Sequence, residues 1–377
     1  MSFAELFFDL VFVFAMTQLA SYLAANATSE GLVRGLVLFV TVWWLWINTA
    51  WATNRLDPDR SLVRVVVFAL MAAGLMVSIS IPNAFGDRGL AFAGACVAMH
   101  VGRSAFMVWA LVRHEDAQHA TFLRVTIWFA VSAVPWIGGA FLEGDWRVLA
   151  WTLALAIDVG VPWLGFAVPG LGRSPTDAWD VEGKHLAERC GLFIIIALGE
   201  LLLVTGARMA DLEWDAGILL AFAVALLGSL VMWWIYFDTG VKRGTKAFEA
   251  SDDPGRLARF AYTYVHLPIV GGIVVSAVGD KLLLDDPYGP ADGWPALVIL
   301  GGPALFLTGN FLFKNATGRR WPLSHVVGLG LVAAAWLLGR GFSTLALSAI
   351  AVAILVAVAI LERFFLRSPT ARRSGVN

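Results

Sequence analysis

Apolar residues fall along this chain in long unbroken blocks rather than at alternating or one-faced spacing. The blocks run near 5–25, 31–51, 62–82, 89–112, 121–141, 147–168, 186–206, 214–237, 257–280, 294–313, 322–339 and 342–366. About twenty residues of helix cross roughly 30 Å of hydrocarbon, so each block is long enough, or nearly so, to span a bilayer. In lipid only helices and closed barrels satisfy their own backbone, and runs without apolar/polar alternation exclude the barrel. The pattern predicts an all-α fold, a polytopic transmembrane helical bundle of about 12 spans.

Composition sharpens this picture. Of 377 residues, 59% are hydrophobic and 15% charged, which leaves no stretch from which a soluble domain of useful size could be built. The connections after even-numbered spans, taken with the span ends that flank them and both termini, hold 20 of the 27 Lys and Arg, among them Arg55, Arg60, Arg64, Lys242, Arg243, Lys246, Arg319, Arg320, Arg372 and Arg373. Basic residues stay on the cytoplasmic side, so the N- and C-termini and the even loops are expected there. The first span has carboxylates where a cleaved signal would be apolar, which argues against a signal peptide. The basic segment 368–377 suits a tail near anionic lipid and implies no nucleic-acid role.

An internal repeat organises the chain. Trp43-Trp44-Leu45-Trp46-Ile47-Asn48-Thr49 aligns with Trp233-Trp234-Ile235-Tyr236-Phe237-Asp238-Thr239. Asp57-Pro58 with Arg60 matches Asp253-Pro254 with Arg256, and Ala84-Phe85-Gly86-Asp87-Arg88 matches Ala277-Val278-Gly279-Asp280-Lys281. Two parallel six-helix repeats, 1–184 and 185–367, follow from this order, related by an axis along the membrane normal. Trp-rich span ends are common interfacial anchors, so the Trp blocks by themselves read as architecture.

Ionisable residues inside the spans carry more information, because charge avoids lipid and seeks a partner or a hydrated cavity. Glu5 and Asp9 are one turn apart on a single face of the first span. Glu188 enters the seventh span and Glu200 follows further along it; His100, Arg103, Asp158 and His266 occupy the middle of theirs. One reading makes these buried ion pairs that fix packing, with Arg103 and Asp158 best matched in depth and Arg189 beside Glu188. The other makes them groups that take and release protons along a path, with Asp9 and Glu200 foremost.

Other chemistries have weaker support. Cys96 and Cys190 are single residues in apolar spans, which indicates neither a disulfide nor a thiolate metal site. His100 and His266 read as hydrogen-bonded core residues in preference to haem ligands. Gly271-Gly272 and Gly301-Gly302 allow close helix packing, a broken-helix ion site being the rarer use. No catalytic residue, metal or cofactor is expected.

The run Glu5-Leu6-Phe7-Phe8-Asp9-Leu10-Val11-Phe12-Val13-Phe14-Ala15 resembles the opening signature of the bacterial low temperature requirement protein A (LtrA) family. Glu188-Arg189-Cys190-Gly191-Leu192-Phe193-Ile194-Ile195-Ile196-Ala197-Leu198-Gly199-Glu200 resembles its second signature. The resemblance implies a multipass protein of the bacterial inner membrane linked by name to growth at low temperature. It supplies no molecular activity. Buried acids in the spans favour a small-solute or ion transporter or channel, with the bilayer and that solute as partners. A non-transporting membrane scaffold, or an intramembrane enzyme acting on lipid or quinone, is the alternative.

Overall fold

The computed structural model describes residues 2–56, 60–112, 117–176, 179, 181–238, 244, 247–248, 251–318 and 321–367. Asp57-Pro58, Thr239, the basic residues Lys242, Arg243, Lys246, Arg319, Arg320, Arg372 and Arg373, and the tail 368–377 lie outside the described residues.

The fold is all-helical. Helices α1 (Phe3–Ala25), α2 (Ser29–Thr53) and α3 (Ser61–Ser80) lead into α4 (Gly89–Val97), which passes through a π-helical turn, Ala98–Gly102, into α5 (Arg103–Leu111). Then come α6 (Ala117–Ala140), α7 (Gly144–Gly160), α8 (Gly183–Ala210) and α9 (Ala216–Phe237). A short α10 (Pro254–Leu257) runs through a second π-helical stretch, Ala258–Tyr264, toward α11 (His266–Asp285). The chain ends with α12 (Trp294–Gly318), α13 (Leu323–Leu338) and α14 (Thr344–Arg367). Among the described residues, 11 helical segments are long and apolar enough to cross a membrane. The block at 322–339 forms a helix of 16 residues, about 24 Å at 1.5 Å per residue, and falls short of a full span.

The chain divides into two compact units. The first comprises Met1–Arg189 with Ser251–Ala258, the second Cys190–Ala250 with Arg259–Asn377. In the first unit α1 packs on α2 and α3, α3 on α4, α6 on α7 and α7 on α2. In the second, α11 packs on α12, α12 on α13, α13 on α14 and α14 on α9.

Helix α1 shows how a bilayer inverts the usual division of faces. Phe3, Phe7, Leu10 and Phe14 are exposed, whereas Glu5, Asp9, Phe8 and Phe12 are buried. Large apolar side chains on the outside belong against lipid, and the carboxylates turn inward. A capping box starts this helix: Ser2 Oγ accepts from the Glu5 N–H at 3.3 Å while the Ser2 N–H donates to Glu5 Oε2 at 2.9 Å. Glu5 is therefore fixed in position by the helix start before it meets any cation.

The glycine pairs act in packing. A Cβ on Gly272 would lie 2.8 Å from Gly302 O, and one on Gly302 would lie 2.7 Å from Ser276 N. Gly301 faces open space. One glycine of the second pair thus lets α11 and α12 approach backbone to backbone, as small residues do between membrane helices.

Candidate functional site

Two i, i+4 pairs meet in the first unit. Glu5 and Asp9 on α1 face His185 and Arg189 on α8, all four close to one end of their helices. Arg189 donates through one terminal nitrogen to Glu5 Oε1 at 2.8 Å and to Thr53 Oγ1 at 3.0 Å, and through the other to Asp9 Oδ1 at 2.6 Å. His185 Nε2 lies 3.1 Å from Glu5 Oε1, and Trp46 Nε1 donates to Asp9 Oδ1 at 2.8 Å. The guanidinium also sits over the Trp46 ring, 5.7 Å from its centroid, a favourable place for a desolvated cation.

Charge does not balance in this cluster. Glu5, Asp9 and Arg189 have side chains 0% exposed. Two carboxylates share one guanidinium, so the ionised cluster carries a net negative charge unless His185 or a carboxylate holds a proton. Asp9 Oδ2 is buried with no hydrogen-bond partner among the described residues. A buried carboxylate oxygen without a donor is costly chiefly while it carries charge, and a bound proton would remove that charge.

A second polar group meets α2 at Thr49, on the same helical stripe as Trp46 and Thr53. Arg103 donates to Thr49 Oγ1 at 3.0 Å, and its guanidinium lies 3.3 Å from His100 Nδ1. His100 Nε2 is 3.8 Å from Asp158 Oδ2, which accepts from Trp136 Nε1 at 3.0 Å. The expected direct pair of Arg103 with Asp158 does not form: His100 lies between them, and its Nε2 stops beyond hydrogen-bond reach of the carboxylate. His100 belongs to the π-helical turn, a local rewinding that re-aims side chains and recurs at functional sites. His100 Nε2 and Asp158 Oδ1 have no hydrogen-bond partner among the described residues.

Helix α2 joins the two groups. Trp46, Thr49 and Thr53 serve Asp9, Arg103 and Arg189 in turn. Each threonine donates its own proton to a carbonyl within its helix, Thr49 to Leu45 and Thr53 to Ala50, which leaves oxygen lone pairs for the arginines.

The remaining sequence candidates are divided between the two units. Glu188 is exposed and Glu200, further along α8 in the second unit, is half-buried. Arg189, expected beside Glu188, points about 100° away around the helix and serves the two acids of α1. His266 has both nitrogens engaged, with Nδ1 donating to Ala261 O and Nε2 accepting from the Tyr236 hydroxyl, each at 2.8 Å. Asp238 caps α9 and pairs with the partly exposed Arg363 at 3.3 Å.

Several buried ionic residues were not singled out from sequence. They include Lys314, which donates to Glu362 at 2.8 and 2.9 Å and to Ile235 O at 2.8 Å; the partly buried His185 was likewise not named. No group of three or more His, Cys, Asp or Glu suited to a metal ion occurs among the described residues.

Both clusters draw on the stretches that stand out in the sequence, and the comparison with known families concerns the same region. A family model described as bacterial low temperature requirement A protein (LtrA) matches residues 1–360. The chain belongs to the LtrA family. A relative of Rhizobium meliloti (strain 1021), named as an uncharacterized protein, is 41% identical over 363 residues, covering 96% of this chain and 88% of its own. No solved structure matches this LtrA-family chain. Family membership and the apolar helices together make it a multipass membrane protein.

Proposed function

We propose that this LtrA-family protein moves a small solute or ion across the bacterial inner membrane, and that the Glu5–Asp9 cluster exchanges protons as it does so. The observation that carries the reading is the shared guanidinium: Arg189 neutralises one of two fully buried carboxylates, and Asp9 keeps an unpartnered oxygen. Intramembrane acids are costly to keep, and they mark proton relays and ion pathways in membrane proteins. The His100–Asp158 contact, with an unpartnered atom on each side, offers the next acceptor deeper in the same unit. Glu200 remains a candidate for the path on its position in the second signature.

The two-repeat architecture is part of this proposal. It is supported by the same order of neighbours in each unit: α2 packs on α7 as α9 packs on α14, and α6 on α7 as α13 on α14. Cytoplasmic termini follow from the basic residues. An impermeant thiol reagent applied to intact cells should spare a cysteine at Ser251 and label one at Asp286; the reverse pattern contradicts the orientation.

Transport is tested in proteoliposomes with an imposed pH gradient. Asp9→Asn should lower proton or solute flux at least several-fold in protein that stays monodisperse, and Glu188→Gln should leave it unchanged. Equal flux through wild type and Asp9→Asn would remove the cluster from the path.

The scaffold reading also has an observation in its favour. Arg147 donates to four backbone carbonyls, those of Ala84, Gly86, Ala140 and Leu142, and Arg124 is held by Ser174, Leu171 O and Thr121. These cations tie loops and helix ends together and have no part in a path.

A further inference from the structure

A small cavity in the second unit brings together a carboxylate and three hydroxyls. Its volume is about 40 Å³, and Asp280, Ser276, Ser229 and Ser348 line it together with apolar residues of α8, α9, α11, α12 and α14. Asp280 lies in the apolar stretch of α11 and has no ion-pair or hydrogen-bond partner among the described residues. Ser276, one turn before it on the same helix, is 8% exposed, and its Oγ has no hydrogen-bond partner among the described residues. Ser229 donates its proton to Ala225 O at 3.2 Å, so what remains on its oxygen is lone pairs.

We propose that this cavity is a binding site for a small monovalent cation, with Na+ as the best-fitting common ion. Its polar lining is rich in oxygen acceptors, and one formal negative charge lacks a counter-charge. Hard cations take such oxygen sets, and a single carboxylate with neutral hydroxyls suits one positive charge better than two. The volume admits a dehydrated ion with a water or two and excludes a larger solute. Gly302 makes the site possible, because a side chain there would strike Ser276. The cation would neutralise Asp280 and receive the free oxygens of Ser276 and Ser229. The site is independent of the proton-exchange reading, since it involves other residues in the other unit.

Equilibrium binding tests it without any assay of transport. Purified full-length protein in detergent is titrated with radioactive Na+ and melted in NaCl against choline chloride at equal ionic strength and pH. Saturable Na+ binding with a higher melting temperature in NaCl is expected. Asp280→Asn should weaken binding by at least about tenfold, as removal of the charged partner at a buried site does. Ser276→Ala should weaken it several-fold, and Asp285→Asn, at the exposed Arg208 pair, should leave it intact. Asp280→Asn removes an uncompensated charge, so it is expected to fold; Ser348→Ala provides a second, milder variant. Absence of saturable Na+ binding to wild type would overturn the proposal, as would binding that Asp280→Asn leaves unchanged.

Discussion

Arg189 donates to Asp9 at 2.6 Å, joining positions 180 residues apart in the chain inside a side-chain environment closed to solvent. The contact connects the two stretches that resemble family signatures. It also explains their spacing, because acids at i, i+4 on α1 meet a histidine and an arginine at i, i+4 on α8.

Removing that arginine should be among the most damaging single changes. Arg189→Met leaves two carboxylates buried without their cation, and loss of one partner from such a site costs on the order of 3–5 kcal/mol. The triple variant Arg189→Met, Glu5→Gln, Asp9→Asn should recover much of the loss. Arg189→Lys should fall between, since an ammonium cannot reproduce the forked contact with two acids and Thr53. Melting temperature and yield of monodisperse protein report the order.

The helical membrane class and the family were legible in the sequence, because block length and signature residues are local properties. Pairing was less so. Glu5 and Asp9 announced a polar face, but their partner lies on a distant helix, and sequence adjacency drew Arg189 toward Glu188. Helical geometry held the better signal: His185 and Arg189 repeat the Glu5/Asp9 spacing, and neighbours at 188 and 189 cannot share a face. Lys314 and Glu362 sit near helix ends, where long side chains ordinarily reach the interface, so nothing local marked them as a buried pair.

That pair provides a comparison with the first-unit cluster. Lys314 and Glu362 balance in charge, and Ile235 O takes a further proton of the ammonium. Lys314→Met or Glu362→Leu alone should each cost on the order of 3 kcal/mol, and the two together considerably less. Transport should be unaffected in whichever variants fold. A double-mutant thermal cycle measures the first point.

The placement of His100 between Arg103 and Asp158 changes what is expected of the two charges. With no direct contact, their coupling in the Arg103→Leu, Asp158→Leu cycle should be smaller than that of Arg189 with Asp9. His100→Leu should reduce it further. A coupling as large as the Arg189–Asp9 value would mean that the two charges meet directly.

Adjacent glycines separate packing from propensity. Gly301→Ala points into open space and should be neutral or stabilising by up to about 1 kcal/mol. Gly302→Ala drives a methyl group against the Ser276 backbone and should destabilise by about 1–3 kcal/mol. Thermal melts of the two variants in the same detergent compare them directly.

Proton occupancy of the Glu5–Asp9 cluster is the central claim, and pH-difference infrared spectroscopy of the reconstituted protein reads it directly. Acidification should bring up the carbonyl band of a neutral carboxylic acid in wild type, and that band should be lost or displaced in Asp9→Asn while persisting in Glu188→Gln. A wild-type spectrum without such a band, or one that Asp9→Asn leaves untouched, would contradict the account.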